Sequence, residues 1–547
     1  MDHTVIMGID TPATGSTCTL EPPFRREGIA GWVVRLPAEL HGLTDTNEQP
    51  YRSRLRLYED GLAVGPAHSS HDVIRRVGRG AYSFWANSLY FSTSDNSDPN
   101  SGNRCYTAVL SPSAGNTELD LESEKGPLGW SAPARPLRCA VVGLGNRGIG
   151  LAQLARGFSG VEIAWLVDQS EERVAEAIEL FGGNAKGAKD PTEALADPAV
   201  DIVFVTVPDY LHRVVAEAAF RAGKNVFLEK PLATTASDAA AILAAWRQSG
   251  RILQLGYVLR QAPFYSAIRA TVGKGMLGPV RVVSLTEQLD VRHGASFMRR
   301  WHAQSRHSGG LLVHKACHDL DIVCWLLDAW PRAVSSFGGL NTFVGAPPAM
   351  SCSQCDRRAI CPYVDTGLHE RRTVAELADP TAYGLDRCVF RADKDIVDNQ
   401  VVSFVLDTGV RGTFFLAMQG PVRSERRITM IGDRARLDGV FEDGRFTVTF
   451  TNPEREPFLW SMEGRSQGGH GGGDRVTMLE FLNACAGRAQ APVTSPEEAM
   501  RGLAFALAAE RARREEVVVR LNEGDFVVPF SPTAEAVRDV PPRTATP

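Results

Sequence analysis

The sequence lacks any apolar run that approaches the ~20 residues of a transmembrane helix, and Met1–Pro22 lacks the basic-then-apolar layout of a signal peptide. An excess of charge is also missing, because 59 Lys and Arg stand against 64 Asp and Glu, a net charge of −5. That balance argues against a surface that coats nucleic acid. Cysteine is scarce, with 10 in 547 residues, which excludes a disulfide scaffold. We therefore expect a soluble, cytoplasmic protein that binds neither membranes nor nucleic acid.

The length of 547 residues is sufficient for roughly three to four domains. The first part of the chain contains short alternating runs, Gly31–Leu36, Ser53–Tyr58 and Ser88–Ser92, which are separated by turn residues. This pattern predicts a β-rich accessory domain over residues 1–115. Residues 116–136 are rich in Ser, Pro, Gly and Glu without periodicity, which is typical of a linker.

After the linker, apolar runs alternate with segments of helical period. The runs are Cys139–Leu144, Val161–Val167, Ile202–Val207, Val226–Leu228 and Ile252–Leu255. Such alternation predicts a parallel sheet with helices on both faces, an α/β domain over residues 137–258. Residues 259–530 mix helices with longer strands, which predicts an α+β domain with a large, mostly antiparallel sheet. Residues 531–547 have the composition of a disordered tail.

A glycine motif follows the first of these strands and opens a helix. It reads Gly143-Leu144-Gly145-Asn146-Arg147-Gly148. In a dinucleotide site the first Gly allows the tight turn, the second admits the pyrophosphate, and the third allows close helix packing. Asp168 ends the second strand, where a carboxylate binds ribose hydroxyls and repels a 2′-phosphate, so we expect NAD rather than NADP. Arg173 lies nearby in sequence and weakens that repulsion.

Further motifs resemble the Gfo/Idh/MocA oxidoreductases. They are Thr206-Val207-Pro208 with His212, Glu229-Lys230-Pro231, and Gly309-Gly310 followed by His318-Asp319-Leu320-Asp321. The resemblance spans residues 137–530 and implies a Rossmann domain followed by an α/β domain that often mediates oligomers. It also implies NAD as cofactor, a sugar or cyclitol as substrate, and a homo-oligomer.

The resemblance also implies roles for single residues. Lys230 matches the family's catalytic lysine and His318 its catalytic histidine. A histidine can accept the hydroxyl proton while hydride leaves, and an ammonium group stabilises the developing alkoxide. The resemblance and the motif positions together predict cofactor contacts at Asn146, Arg147, Pro208, His212 and Glu229 besides the glycines, Asp168 and Lys230. The predicted substrate contacts are Tyr257, Arg260, Trp301 and Asp321.

One position departs from the family's pattern. His314 stands where the family usually has an aspartate, four residues before His318, and Lys315 follows it. Residues four apart share a helix face, so both imidazoles should reach the pocket, and we include His314 among the candidate catalytic residues. The loss of a carboxylate should lower the basicity of His318. The alternatives to a dehydrogenase are an NAD-cycling lyase or glycosidase that works by oxidation, elimination and reduction, and a non-catalytic NAD-binding scaffold or sensor.

Four of the ten cysteines lie within 37 positions. They are Cys352, Cys355, Cys361 and Cys388. The Cys-x2-Cys spacing and the presence of four thiols predict a structural zinc site that orders a long insertion, with free structural thiols as the alternative. In the N-terminal region, His68, His71, Trp85, Asp95 and Asp98 lie near strand ends, as in a sugar-binding module.

Overall fold

The chain forms two compact units in a computed structural model. The first unit comprises residues 1–124 and 439–467, and the second comprises residues 125–438 and 468–547. The structure describes residues 17–45, 53, 55–64, 71–76, 78, 80–101, 104–110, 129–345, 349–364, 386–391, 393–420, 423–462, 469–488 and 494–522. Within those ranges, no helix has both the length and the apolar character that a bilayer crossing requires.

The first unit is a β structure, as the alternating sequence pattern predicts. Its elements are β1 Thr17–Leu20, β2 Arg25–Arg26, β3 Trp32–Arg35, β4 Leu55–Glu59, β5 Leu62–Ala63, α1 His71–Arg76, β6 Tyr82–Trp85, β7 Ser88–Phe91 and β8 Tyr106–Leu110. Two four-stranded antiparallel sheets have the orders β1-β8-β4-β5 and β2-β3-β7-β6. Phe24, Phe91 and Tyr106 meet edge to face or at a tilt in its core. The later strands of this unit are β21 Arg445–Phe450 and β22 Phe458–Ser461.

The second unit begins with a six-stranded parallel sheet. The strands and helices are β9 Leu137–Val142, α2 Asn146–Arg156, β10 Val161–Val167, α3 Glu171–Phe181, β11 Lys186–Ala188, α4 Thr192–Ala196, β12 Ile202–Val205, α5 His212–Arg221, β13 Asn225–Leu228, α6 Ala236–Ser249 and β14 Leu253–Leu255. The strand order is β11-β10-β9-β12-β13-β14. The order reverses between β10 and β12 on either side of β9, so the carboxyl ends of these strands form the crevice that binds ligands in such sheets. The α/β prediction is confirmed.

The remaining part of the second unit is the predicted α+β structure. Its elements are α7 Pro263–Gly273, β15 Val280–Asp290, α8 Val291–Phe297, α9 Ser305–Ser308, α10 Leu311–His314, α11 Cys317–Leu327, β16 Pro331–Gly339, β17 Asn399–Leu406, β18 Arg411–Gly420, β19 Glu425–Gly432, β20 Ala435–Val440, α12 Gly473–Cys485, α13 Pro496–Glu515 and β23 Val519–Arg520. Within this unit, the strands follow the order β20-β19-β15-β18-β17-β16-β23. Its strands pair mostly antiparallel, and β15 and β18 are parallel.

The helix α11, which carries the predicted catalytic histidine, packs closely against α13. A Cβ atom at Gly502 in α13 would lie 2.8 Å from the Cβ of Asp321, so this approach requires glycine. The side chain of Ser495 accepts hydrogen bonds from the backbone of Glu497 and Glu498 and so begins α13. Because α11 is held against this buried helix, His318 has a fixed position at the edge of the cleft.

Candidate active site

The glycine motif forms a tight turn between β9 and α2. Gly143 has a φ of 97°, and a Cβ there would lie 2.6 Å from the carbonyl oxygen of Thr206. A Cβ at Gly148 would lie 1.9 Å from the carbonyl oxygen of Gly143. At Gly145, by contrast, the nearest atom is Nη1 of Arg173, 3.8 Å away. The first and third glycines therefore allow packing, while the second leaves the backbone open to a ligand.

The start of α2 fits a pyrophosphate. Asn146 is its first residue, and no side chain caps the helix at Gly145. The positive end of the helix dipole favours an anion at this position. Asp168 lies directly beside this turn. Its Oδ2 accepts a hydrogen bond from the backbone N–H of Leu144 at 2.8 Å, and its Oδ1 accepts one from Ser170 at 3.0 Å. The cradle and the carboxylate are thus side by side, as a dinucleotide requires.

His212 joins the loops that follow β12 and β13. Its Nδ1 lies 2.8 Å from the carbonyl oxygen of Pro231, and its Nε2 lies 3.1 Å from that of Val207. The imidazole is buried, with 1% of its surface exposed. Pro208 begins the short helical turn 209–211 between these loops. His212 and Pro208 therefore shape the cleft wall next to the predicted cofactor site.

Lys230 lies at the carboxyl end of β13, where its ammonium group meets α10. Nζ donates a hydrogen bond to the carbonyl oxygen of His314 at 2.9 Å. The preceding Glu229 binds the Arg147 guanidinium through Oε1 and accepts from the Lys230 backbone N–H through Oε2 at 3.1 Å. Lys230 is thus supported both from the glycine motif and from the helix that precedes α11.

His314 pairs with Asp209, a residue that the sequence reasoning missed. Nδ1 of His314 lies 2.6 Å from Oδ2 of Asp209. Burial raises the pKa of Asp209 to about 7. The pKa of His314 is lowered well below its usual range, mainly by burial and next by the positive charge of Lys230. Asp209 follows Pro208 at the end of β12, and its position at the carboxyl edge of the sheet was the signal that could have identified it.

Aromatic rings surround this pair. The Trp301 ring centroid lies 5.1 Å from that of His314 and 6.2 Å from that of Tyr210. The His302 and Phe297 rings lie 5.2 Å and 5.3 Å from the His314 ring. Tyr210 is 40% exposed, so the cluster opens toward solvent there. Trp301, a predicted substrate residue, therefore lies next to His314.

His318 faces the same cleft from the start of α11. Its ring centroid lies 5.9 Å from that of Tyr257 and 5.7 Å from that of His470. The pKa of His318 is lowered well below its usual range, mainly by burial and next by the positive charge of Lys230. Among the described residues, nothing forms a hydrogen bond to its Nδ1. His470 was also missed, because it lies 152 positions after His318 in a glycine-rich segment.

A charged cluster lies behind His318. Arg426 binds both Glu287 and Asp319, and Lys315 lies 3.1 Å from Glu287. Burial raises the pKa of Asp319. Burial also acts on Glu287, but the positive charges of Arg426 and Lys315 together outweigh it and hold the pKa of Glu287 below its usual range. This cluster fixes the residue that follows His318.

Arg260 and Asp321, two of the predicted substrate residues, form a buried ion pair. Arg260 donates to Asp321 at 2.6 Å and 2.7 Å and to Glu498 at 2.7 Å. The side chains of Arg260 and Asp321 are 2% and 1% exposed. Both groups thus bind each other in the interior. Tyr257 is buried as well, with its ring against His318.

The four clustered cysteines line one cavity of about 360 Å³. The segments that carry them are joined by a β-bridge between Ser351 and Arg387. Each is a free thiol. Within the described parts of the chain, however, no three His, Cys, Asp or Glu side chains are arranged to hold a metal ion. The predicted zinc site is therefore not supported, although the prediction that these residues come together agrees with the cavity.

In the first unit, the polar residues near strand ends have structural partners. His71 stacks on Tyr90 with ring centroids 3.9 Å apart, and lies 6.0 Å from Trp85. Asp95 binds Arg104 at 2.6 Å, and the Asp98 carboxylate accepts from the Asn100 backbone at 2.9 Å. His68 lies outside the described residues.

Two family profiles together match most of the chain from residue 137 to residue 521. Residues 137–257 match the oxidoreductase family with the NAD-binding Rossmann fold, and residues 269–521 match the family's C-terminal alpha/beta domain. The chain is 28% identical over 354 residues to the protein YteT of Bacillus subtilis (strain 168), which covers 59% of this chain and 82% of YteT. It is 31% identical over 204 residues to scyllo-inositol 2-dehydrogenase (NAD(+)) of the same organism. That match covers 37% of this chain and 57% of the dehydrogenase. The chain thus matches little more than half of that dehydrogenase.

Solved structures share the fold. Levoglucosan dehydrogenase in complex with NADH and levoglucosan gives a TM-score of 0.56 at 17% identity, over 71% of this chain and 99% of that one. GenD2 from gentamicin A biosynthesis in complex with NAD gives a TM-score of 0.55 at 20% identity, over 72% and 99%.

Proposed function

Because the chain belongs to the Gfo/Idh/MocA oxidoreductase family, we propose that it oxidises a secondary hydroxyl of a sugar, sugar derivative or cyclitol with NAD. The observation that carries the proposal is the convergence of Lys230, His314 and His318 beside an open glycine motif. The names of the relatives support the substrate class, since one is an inositol dehydrogenase and another structure contains levoglucosan.

The residues present fit NAD. Gly145 leaves room at the start of α2 for the pyrophosphate, and Asp168 supplies a carboxylate for the ribose. Bound NAD+ would supply the hydride acceptor. Glu229 and Arg147 hold the Lys230 end of the site next to the glycine motif, so the reacting hydroxyl and the cofactor share one cleft.

In the proposed reaction, the Lys230 ammonium stabilises the oxygen that loses its proton, and His318 accepts that proton. The lowered pKa of His318 keeps its imidazole neutral near neutral pH and hence able to accept. Asp209 orients the His314 ring, which lies among the aromatic rings that we assign to substrate binding. A sugar or cyclitol ring can stack on Trp301 there.

A second candidate is an NAD-cycling lyase or glycosidase. It is favoured by the Asp209–His314 pair, because elimination after oxidation needs a further acid–base group besides His318. The two reactions differ in their net cofactor balance. The dehydrogenase accumulates NADH, whereas the cycling enzyme returns the hydride to its product.

The test is to incubate the purified protein with NAD+ and a panel of sugars, sugar nucleotides and inositols. NADH absorbance and product masses are followed together. Net NADH supports the dehydrogenase, and a product without net NADH supports the cycling enzyme. Binding of NAD+ without turnover of any panel member would favour the non-catalytic scaffold and contradict both proposals.

We also propose a homo-oligomer through the large sheet. One of its faces exposes Phe337 (75%) opposite Val401 (48%), and Val282 (42%) opposite Ile431 (41%). An apolar patch of this kind on a sheet is typical of a protein–protein contact. A second copy of the chain is the occupant that the family resemblance implies.

A further inference from the structure

His470 lies in the segment Gly469–Gly472, directly before α12. It has a φ of 53° and a ψ of 43°, a left-handed conformation that non-glycine residues rarely adopt. The glycines around it permit a close approach, since a Cβ at Gly473 would lie 2.1 Å from the carbonyl oxygen of Val258.

Asp474 orients the His470 ring. Nδ1 of His470 lies 3.0 Å from Oδ2 of Asp474, and the other oxygen of Asp474 accepts from Arg147 at 2.6 Å. Burial alone would raise the pKa of Asp474. Hydrogen bonds from His470 and Arg147 outweigh burial and hold this pKa well below its usual range. Asp474 is thus an anion that can only accept, so Nδ1 of His470 carries the hydrogen of this bond and Nε2 is the ring nitrogen left for proton transfer.

His470 and His318 form a pair with unequal access to solvent. Their ring centroids are 5.7 Å apart. His318 is 4% exposed, whereas the side chain of His470 is 36% exposed. Besides burial, the charges of Lys230, His470, Arg426 and Lys315 all act against a positive charge on His318. A proton that His318 has accepted must therefore leave quickly if the site is to turn over.

We propose that His470 is a relay residue that carries the substrate proton from His318 to solvent. This inference rests on the proposed oxidoreductase function. In the step, the substrate O–H bond breaks and an N–H bond forms on His318, while the C–H electron pair leaves as hydride to NAD+. The proton then passes to Nε2 of His470, directly or through one water, and from there to bulk water. Asp474 and Arg147 position His470 for this transfer.

The test uses the variant His470→Gly in the full-length enzyme. Glycine adopts the left-handed conformation without strain, and its missing ring leaves space for free imidazole. The matched control is Glu516→Gly, because Glu516 has nearly the same conformation (φ 55°, ψ 41°) at the end of α13, outside the site. Both variants are assayed with NAD+ and a substrate that the wild-type enzyme oxidises, with and without added imidazole.

We expect His470→Gly to lower kcat by about 10- to 100-fold, with KM for substrate and NAD+ changed by less than about 3-fold. Imidazole should restore the rate of this variant and leave the wild type and Glu516→Gly unchanged. An unchanged kcat, or a lost kcat that imidazole does not restore, would overturn the relay while leaving the proposed function intact. No turnover by the wild-type enzyme on any panel member would overturn both.

Discussion

The buried ion pair between Arg260 and Asp321 makes a prediction that does not depend on the substrate. The pair is bidentate and joins the turn after β14 to α11, and Glu498 in α13 binds the remaining guanidinium nitrogen. Asp321→Asn removes one charge without changing the side-chain volume. Arg260 then remains buried opposite only Glu498, which is 39% exposed. Breaking such a pair costs about 3–5 kcal/mol, a large part of the roughly 5–15 kcal/mol of an ordinary domain.

The assay is urea unfolding followed by tryptophan fluorescence, with the slope of the free energy against urea as a check on the unfolding transition. Glu498→Gln, the exposed member, should cost no more than about 1 kcal/mol. The double variant Arg260→Met with Asp321→Leu should lose less stability than Asp321→Asn, because no unpaired charge is left inside. If Asp321→Asn costs under about 1 kcal/mol, or if the double variant is the least stable, the pair does not hold these elements together.

Three further predictions follow from the site and the sheet. Lys230→Ala should abolish turnover while NAD affinity, measured by calorimetry, changes by less than about 3-fold; unchanged turnover would refute the catalytic assignment. Burial raises the pKa of Asp209 from 3.8 to about 7, so the folded protein keeps a proton that the unfolded chain releases, and stability falls as pH rises between these values. Asp209→Asn removes this loss, so the unfolding free energy of the variant minus that of the wild type should increase from pH 4 to pH 7, by at most about 4 kcal/mol. Urea unfolding measures this difference, and a difference that does not change with pH would contradict the buried carboxyl. Phe337→Asp should reduce the oligomer to smaller species in sedimentation, whereas Glu516→Gly should not.

The parts of the site that could be predicted are those that follow from local sequence. The spacing of Gly143, Gly145 and Gly148 reflects steric demands within a single turn, and the structure meets each of them. Lys230 and His318 were assigned from the motifs that carry the family resemblance, and their catalytic roles stay a prediction. The α/β and α+β patterns of the second unit were predicted because hydrophobic periodicity is also local.

The partners of these residues could not be predicted, because they depend on tertiary contacts. His470 and Asp474 reach the site from more than 150 positions beyond His318, and no local pattern links them. Arg260 and Asp321 carry charges that sequence reasoning directed to a substrate, yet each neutralises the other in the interior. Similarly, the cysteine spacing predicts proximity but contains no information on the arrangement of the thiols.

The grouping of the chain was also beyond the sequence pattern. Residues 439–467, with β21 and β22, belong to the first unit although they lie far from the N-terminal region in sequence. Their alternating burial, as in Phe446 and Val448, resembles that of the large sheet, so periodicity alone could not assign them to a unit.

In the proposed reaction, a substrate hydride passes to NAD+ at the site of Lys230 and His318. It is tested most directly with inositols and sugars deuterated at their carbinol carbons, incubated with NAD+ and the wild-type enzyme or Lys230→Ala. Mass spectrometry of the nucleotide then reports the transfer. We expect reduced NAD that carries deuterium with the wild-type enzyme and none with Lys230→Ala. Bound NAD+ that remains unlabelled with every panel member, or equal labelling by both proteins, would contradict it.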